Sequence, residues 1–261
     1  QKIEYYALLI MATIGFSLMA ASTDLIMIYV ALETAGISSY LLAGFYSGQT
    51  LSSEAGMKYF VYGAFTTAVM LYGMSLIYGV TGQTNLYVIG SLFSGEQIAG
   101  VQPLLLLASV LVVVGFAFKT SIVPYHFWSP DVYQGAPTPF TAFLSTASKA
   151  AGFAIFLRVF LAGVLGPANT SAEWWAMLVA MCIITMVLGN FVAIFQTNIK
   201  RLLAYSSIAQ AGYALIGLVT LSQDGSGATM FYLLMYVFTN IAAFGVIILI
   251  SNVTKSDDLK D

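Results

Sequence analysis

Five charged side chains lie inside long apolar stretches of this sequence, where a charge is costly. They are Glu33, Lys58, Lys119, Lys149 and Arg158. An isolated charge at the centre of a lipid bilayer costs about 2.5–3.5 kcal/mol on insertion scales, so such residues persist when they are paired, hydrated or functional. Burial of a lysine favours its neutral form, whereas a nearby carboxylate favours the charged form. A buried glutamate and lysine that approach and separate can therefore take up and release a proton.

Three of these residues favour proton transfer over a structural ion pair. Glu33 lies about nine residues into its apolar stretch, roughly 14 Å along a helix, so its carboxylate is near mid-membrane. Lys149 is equally central, and Ser145 at position i−4 adds a polar group on the same helical face. Lys119 lies beside a predicted helix break. On an unbroken helix it would instead extend to the membrane surface.

Four further residues leave structural and functional interpretations open. Lys58 follows Glu54 at the i,i+4 spacing, so a helix-end ion pair explains it nearly as well as proton transfer. His126 titrates near neutrality, and a proton-relay role and a simple hydrogen-bonding role are equally favoured. We expect Arg158, which stays protonated, to extend to the non-cytoplasmic membrane surface. Asp131 is predicted to be a cap or gate residue rather than a proton carrier.

The composition excludes a soluble protein. Hydrophobic residues make up 59% of the chain and charged residues 8%, whereas a soluble domain carries about 25% charged residues. The net charge of −2 and the lack of a Lys/Arg-rich run predict no nucleic-acid partner. A single cysteine, Cys182, and a single histidine exclude disulfides, iron–sulfur ligation and paired haem ligands. We therefore expect a membrane protein with no metal and no cofactor on this chain.

Eight apolar segments are long enough to cross a bilayer core, which needs about 20 helical residues. They fall at roughly 5–22, 24–46, 55–80, 102–123, 138–164, 174–197, 200–221 and 228–251. The ten-residue alternation of a membrane β-barrel is not visible. The sequence predicts an all-α, polytopic helical bundle that forms a single transmembrane domain over residues 1–261.

One apolar stretch contains a helix-breaking proline. Residues 104–134 form a continuous stretch that includes Pro124. Proline has no backbone N–H, so a helical hydrogen bond is lost there. Broken helices persist at membrane depth only where protein or water satisfies the freed backbone groups. We therefore predict a discontinuous helix, 104–123 followed by a half-helix near 125–134, with Lys119 beside the break.

Basic residues gather on one side of the predicted bundle. Alternating the ends of the spans places Lys2, Lys200, Arg201, Lys255 and Lys260 on the side of the N-terminus. The opposite loops contain Asp24, Glu96, Glu173 and Asp224 but no lysine or arginine. The positive-inside rule therefore predicts that the N-terminal side is cytoplasmic.

A weak internal repeat appears when the sequence is shifted so that Tyr40 meets Tyr213. At this offset of 173 residues Leu42 and Gly44 meet Leu215 and Gly217, and Met57, Tyr59, Phe65 and Thr66 meet Met230, Tyr232, Phe238 and Thr239. The shift equals five predicted spans, an odd number, so the two copies run in opposite directions through the membrane. Inverted repeats of this kind are typical of transporters.

These motifs together resemble the antiporter-like membrane subunits of respiratory complex I, a proton-pumping NADH:quinone oxidoreductase. The segments that carry the resemblance are 29–45, 54–60, 118–128 and 135–139, while 145–153 is most similar to subunit N. The resemblance covers essentially the whole sequence. The motifs around Pro124–Trp128 and Lys149 are its specific part.

The resemblance implies a fold of about fourteen helices with two inverted five-helix halves, each containing a broken helix. Residues 1–261 would then be a fragment of a longer subunit, about helices four to eleven. Glu33 matches the glutamate of the fifth helix, Lys58 a lysine of the sixth and Lys119 the lysine of the broken seventh. Lys149 matches the lysine of the eighth helix, which connects the two half-channels.

The resemblance also implies a function. It is proton translocation through buried glutamate and lysine, driven by quinone reduction that shifts the Glu33–Lys119 pairing. Flavin, iron–sulfur clusters and quinone are expected on partner subunits, with other membrane-arm subunits as neighbours in the bacterial inner membrane or an organellar membrane. One alternative is a subunit of a multisubunit Na⁺/H⁺ antiporter or a membrane-bound hydrogenase. Another is a structural assembly subunit whose lysines form packing ion pairs.

Overall fold

The computed structural model describes residues 2–93, 101–162 and 172–260, and their regular structure is helical. The helices are α1 (Lys2–Ala21), α2 (Leu25–Ala43), α3 (Thr50–Thr81), α4 (Leu86–Phe93), α5 (Gln102–Thr120), α6 (Trp128–Gly135), α7 (Thr138–Phe143), α8 (Lys149–Leu161), α9 (Ala172–Ala193), α10 (Ile199–Val219) and α11 (Gln223–Thr254). A π-helical turn, Leu144–Ser148, joins α7 to α8.

Eight helical segments in the described ranges are long and apolar enough to cross a membrane, as the sequence predicts. The segment α7, π-helical turn and α8 forms one of them, Thr138–Leu161. Asp24 and Asn198 are the N-cap residues of α2 and α10. Each side chain accepts hydrogen bonds from the backbone N–H groups of the second and third residues of its helix. Glu96 and the predicted end of the fifth span at 163–164 lie outside the described residues.

The predicted discontinuous helix is confirmed, with a later restart than expected. Helix α5 ends at Thr120 because Ser121 adopts a left-handed conformation with φ of 61°. Turns occupy the following residues, and α6 begins at Trp128, not near 125. Pro124 lies within these turns, where its missing N–H interrupts no helix.

Protein groups satisfy the backbone at this break. The N–H of Val123 donates to the hydroxyl of Thr185 on α9 over 3.0 Å. The indole N–H of Trp128 donates back to the carbonyl of Phe118 at the end of α5, over 3.1 Å. All four residues are buried. Both ends of the break are therefore anchored inside the protein, while Pro124 and Phe127 within it are exposed. Protein groups thus satisfy these two backbone positions, as a non-helical backbone at membrane depth requires.

The inverted repeat is confirmed by the helix boundaries and crossings. Helices α3 and α11 begin at Thr50 and Gln223 and end at Thr81 and Thr254, so both ends are related by the same shift of 173 residues. The two copies are α1–α3 and α9–α11. They begin five spans apart, so they run in opposite directions.

The helix crossings within the two copies are also alike. Helix α1 meets α2 where Gly15 faces Ala35, and α9 meets α10 where Gly189 faces Ala209. A Cβ atom on either glycine would lie 2.5 Å from the backbone nitrogen of the facing alanine. Only glycine permits this approach, so both crossings depend on the same pair of residue types.

A tight aromatic cluster packs α6 against α3. The rings of Tyr59 and Trp128 stack with their centroids 4.4 Å apart, and Tyr40 packs edge-on against Tyr59 at 4.8 Å. Phe118 at the end of α5 contacts both Tyr59 and Trp128. This cluster fixes both ends of the break, and so fixes the position of Lys119.

Candidate functional site

Lys119 lies in the last turn of α5, immediately before the break, and is 1% exposed. Its Nζ atom has no hydrogen-bond partner among the described residues and lies 4.8 Å from the ring centroid of Phe16 on α1. Gly152 of α8 brings that helix against the stem of Lys119. The C-terminal end of α5 stabilises a positive charge, as does the face of the Phe16 ring. Lys119 is thus buried with weak compensation for its charge.

Glu33 lies in the middle of α2 and faces the same interior. Its Oε1 atom is buried and has no hydrogen-bond partner in the described part of the chain. The carboxylate is close enough to interact electrostatically with Lys119 and with the hydroxyls of Tyr29 and Tyr40. No salt bridge within 4.0 Å joins it to Lys119. Glu33 and Lys119, which the sequence predicts to pair, are therefore close to each other but do not form an ion pair.

Lys149 follows the π-helical turn and is 2% exposed. Its Nζ atom donates to the backbone carbonyl of Ser207 on α10. Ser145, which the sequence predicts to form a polar stripe with Lys149, instead donates its hydroxyl hydrogen to the carbonyl of Ala142 over 2.9 Å. The partner of Lys149 therefore comes from the second copy of the repeat. A π-helical turn at this point is typical of functional sites.

Two buried tyrosines converge on the side chain of the same serine. The Tyr236 hydroxyl donates to Ser207 Oγ over 2.8 Å, and the Tyr133 hydroxyl lies 3.1 Å from that oxygen. We call these three residues the hydroxyl cluster. The sequence does not reveal this cluster, because tyrosine and serine in apolar helices give no signal until the fold brings them together.

A second polar group lies where α3, α6 and α10 meet on the predicted cytoplasmic side. Lys58 Nζ is 2.6 Å from both Glu54 Oε1 and Asp131 Oδ2, and Arg201 is 2.6 Å from Asp131 Oδ1. We call these four residues the charged cluster. Their side chains are about a third to a half exposed. Lys58 thus has its expected helical ion pair, and Asp131 connects three helices rather than capping one.

The remaining predicted residues contact neither Lys119 nor Lys149 through a hydrogen bond or an ion pair in the described part of the chain. His126 lies in the break and is 4% exposed, with Nδ1 lacking a hydrogen-bond partner in the described ranges. Arg158 donates from Nε to the carbonyl of Ala20 over 3.1 Å. Lys200, predicted at the cytoplasmic end of a span, is 7% exposed in the first turn of α10 and lies 3.1 Å from Asp257. The described residues contain no group of three or more His, Cys, Asp or Glu side chains able to hold a metal.

Comparisons with known proteins bear directly on this geometry. The family described as "NADH:quinone oxidoreductase/Mrp antiporter, TM" matches residues 22–261. NADH-quinone oxidoreductase subunit N 2 of Chloroherpeton thalassium is 49% identical over 262 residues, covering 99% of this chain and 51% of that protein.

Two solved structures have the same fold. A chain of respiratory complex I from Thermus thermophilus with bound aureothin is 40% identical with a TM-score of 0.78, covering 93% of this chain and 51% of its own length. A chain of the membrane-bound sulfane sulfur reductase, an archaeal respiratory membrane complex, is 29% identical with a TM-score of 0.85, covering 94% and 49%. The chain spans about half the length of the relatives it matches.

Proposed function

Because this chain belongs to the NADH:quinone oxidoreductase/Mrp antiporter transmembrane family, we propose that it translocates protons as part of subunit N of an NADH:quinone oxidoreductase. The observation that carries the proposal is the environment of Lys119 and Lys149. Both are almost fully buried, and neither forms a salt bridge within the described residues. A lysine kept in an apolar interior without a paired carboxylate is suited to exchange a proton.

In the proposed mechanism Glu33 and Lys119 form a switchable pair. Their separated arrangement and their electrostatic interaction support this role. When the carboxylate approaches, the lysine holds its proton. When it withdraws, the proton is released toward Lys149. His126 beside the break and Lys58 in the charged cluster are further proposed proton-handling groups.

The driving reaction is assigned to other subunits. We expect flavin, iron–sulfur clusters and quinone on those partners and no redox group on this chain. Quinone reduction there would change the distance between Glu33 and Lys119. The relatives named NADH-quinone oxidoreductase subunit N come from bacteria, and this chain has eight described segments apolar enough to cross a membrane. The bacterial inner membrane is therefore the expected location.

Residues 1–261 are proposed to form one transmembrane domain that corresponds to helices four to eleven of a fourteen-helix subunit. The chain's coverage of about half of its relatives supports this correspondence. So does the repeat, whose second copy begins with α9, the sixth of the eight spans.

The alternative function is a subunit of a Na⁺/H⁺ antiporter or of a related respiratory membrane complex. The family includes the Mrp antiporter, and the sulfane sulfur reductase chain gives the higher of the two TM-scores. An absorbance spectrum of the purified complex separates these functions. Flavin and iron–sulfur bands with quinone-reducing activity support the proposal, and a colourless complex favours the antiporter.

Lys119→Ala and Lys149→Ala test the proposed role in the complete complex. Membrane vesicles would be assayed for NADH-driven quinone reduction and for the accompanying proton uptake. We expect the complex to assemble and proton uptake to fall by at least about tenfold, since positioned proton-transfer groups contribute about 10²–10⁴-fold. The exposed Lys260→Ala is the matched control. Proton uptake unchanged in both buried variants would show that these lysines are structural.

A further inference from the structure

The hydroxyl cluster unites three separate elements at mid-bundle. Tyr133 lies on α6, directly after the break, while Ser207 and Tyr236 lie on α10 and α11 of the second repeat copy. All three side chains are buried. Buried hydroxyls need hydrogen-bond partners, and here they supply one another.

The hydrogen bonds of the cluster have a defined direction. A hydroxyl donates one hydrogen and accepts two. Because Tyr236 donates to Ser207 Oγ, the hydrogen of Ser207 is free to point at the hydroxyl of Tyr133, 3.1 Å away. The three groups then form one continuous chain of donors and acceptors. Reversing every bond gives an equivalent chain in the other direction, which is the property that a proton relay requires.

Lys149 is held at the same residue that joins the two tyrosines. Its Nζ atom donates to the carbonyl of Ser207, and the hydroxyl of that same residue joins the two tyrosines. A rotation of the flexible lysine side chain would transfer Nζ from the carbonyl to this hydroxyl. The ammonium group therefore has both an anchor and a proton-exchange partner in Ser207.

The other polar groups around the cluster are also hydroxyls and amides. The hydroxyl of Tyr59 on α3 is buried and has no hydrogen-bond partner among the described residues. Asn240 of α11 donates to the carbonyl of Tyr236 over 3.0 Å. None of these groups is charged, so none fixes the proton on Lys149 by ion pairing.

We propose that Tyr133, Ser207 and Tyr236 carry protons to and from Lys149, between the broken helix and the second copy of the repeat. In each step the neutral amine of Lys149 takes the proton of the Ser207 hydroxyl, while Ser207 takes one from a tyrosine. That tyrosine is reprotonated by a hydronium ion on its own side, which becomes water. One N–H bond forms, one O–H bond of hydronium breaks, the O–H bonds along the chain break and re-form, and one positive charge moves from hydronium to Lys149. The proposal rests on the proton-translocating function proposed above.

Ser207→Ala is the decisive variant, because it removes the hydroxyl but keeps the carbonyl that anchors Lys149. In the assembled complex we expect the ratio of protons taken up to quinone reduced to fall to the level of Lys149→Ala. Ser207→Thr restores a hydroxyl and should recover the ratio. Ser206→Ala, the neighbouring and less buried serine, is the control and should leave it unchanged.

Tyr133→Phe and Tyr236→Phe test the two arms of the relay. Each should lower the ratio, and combining either with Ser207→Ala should add nothing, because all three interrupt one path. The control is Tyr213→Phe on α10, which removes a hydroxyl bonded to Asn190 instead.

The outcomes separate the relay from the proposed function. If Lys149→Ala abolishes proton uptake but Ser207→Ala behaves like Ser206→Ala, the relay is wrong and the function stands. If Lys149→Ala itself has no effect, the proposed function fails. A loss in Ser207→Ala that Ser207→Thr does not restore would mean that Ser207 acts through packing, which also overturns the relay.

Discussion

The first copy of the repeat, α1–α3, and the second, α9–α11, share their helix crossings but bury different polar groups. In each crossing a glycine faces an alanine, Ala35 in the first and Ala209 in the second. Two residues before these alanines lie Glu33 and Ser207. The crossing alanines are 174 residues apart, one more than the shift of 173 that relates α3 to α11. Counted from these alanines, one copy presents a carboxylate near Lys119 and the other a hydroxyl and carbonyl at Lys149.

This difference separates the requirements of the fold from those of the chemistry. Close helix crossings need small residues, and both copies have them. The polar side chain two residues away is free to differ, because the close contact at the crossing is made by the glycine and the alanine. A carboxylate can hold a proton on a lysine by ion pairing. A neutral hydroxyl forms no ion pair, so it can only transfer a proton to the next group.

The largest effect is expected from removing what the two copies share. Gly15→Ala and Gly189→Ala each place a Cβ atom 2.5 Å from a backbone nitrogen of the facing helix. That backbone is packed and cannot easily move away. Overpacking costs about 1–3 kcal/mol and more where backbone must move. We expect both variants to lose most of the assembled complex, measured by native electrophoresis of solubilised membranes.

The matched controls carry the same substitution at open positions. Gly79→Ala and Gly245→Ala lie on α3 and α11, and an added Cβ atom meets nothing within 4 Å there. They should assemble normally. Normal assembly of only one crossing variant would show that the two copies are not structurally equivalent.

A second, smaller effect is expected from exchanging what differs between the copies. Ser207→Glu introduces a carboxylate beside Lys149, and Glu33→Ser removes the one near Lys119. We expect both to assemble, and we expect proton uptake to fall by about tenfold or more, since each lysine then has the wrong partner for its step. Proton uptake per quinone reduced is the measurement. Full activity in either variant would mean that the carboxylate and the hydroxyl are interchangeable.

The smallest effect is expected from the charged cluster, which has no counterpart in the second copy because Phe231 lies where Lys58 would be repeated. Asp131→Asn removes two ion pairs, to Lys58 and Arg201. Partly exposed pairs contribute about 0.2–1 kcal/mol each, so we expect a small drop in thermal stability of the purified complex. The drop should shrink at high salt. The exposed Asp224→Asn is the control, and a salt-independent effect would contradict this interpretation.

The sequence predicts those features that have a local signal. Apolar length predicts the eight spans, and Pro124 predicts the break because its effect on a helix is local. Lys119 and Lys149 are identifiable as functional candidates because a charge in an apolar stretch is conspicuous wherever it occurs. The sequence predicts helix boundaries less accurately. Helix α3 begins at Thr50 rather than 55, since its polar first turn continues the helix.

Partners that are distant in the chain were not predictable. Nothing near Lys149 indicates that its ammonium binds a carbonyl on α10, or that Tyr133 and Tyr236 meet at the same serine. The pairing of Asp131 with Arg201 is similar, because it depends on where α6 ends up relative to α10. Such contacts are consequences of helix packing, to which each side chain contributes little on its own.

The hydrogen bond from Val123 to Thr185 also constrains the order in which the spans can leave the insertion machinery for the lipid. The break between α5 and α6 belongs to the fourth span, but its acceptor lies on α9, the sixth span, which the ribosome makes later. Until α9 has inserted, a backbone N–H at membrane depth lacks this partner, and lipid cannot replace it. The nascent chain should therefore keep α5 and α6 away from lipid, within the insertion machinery, until the sixth span arrives.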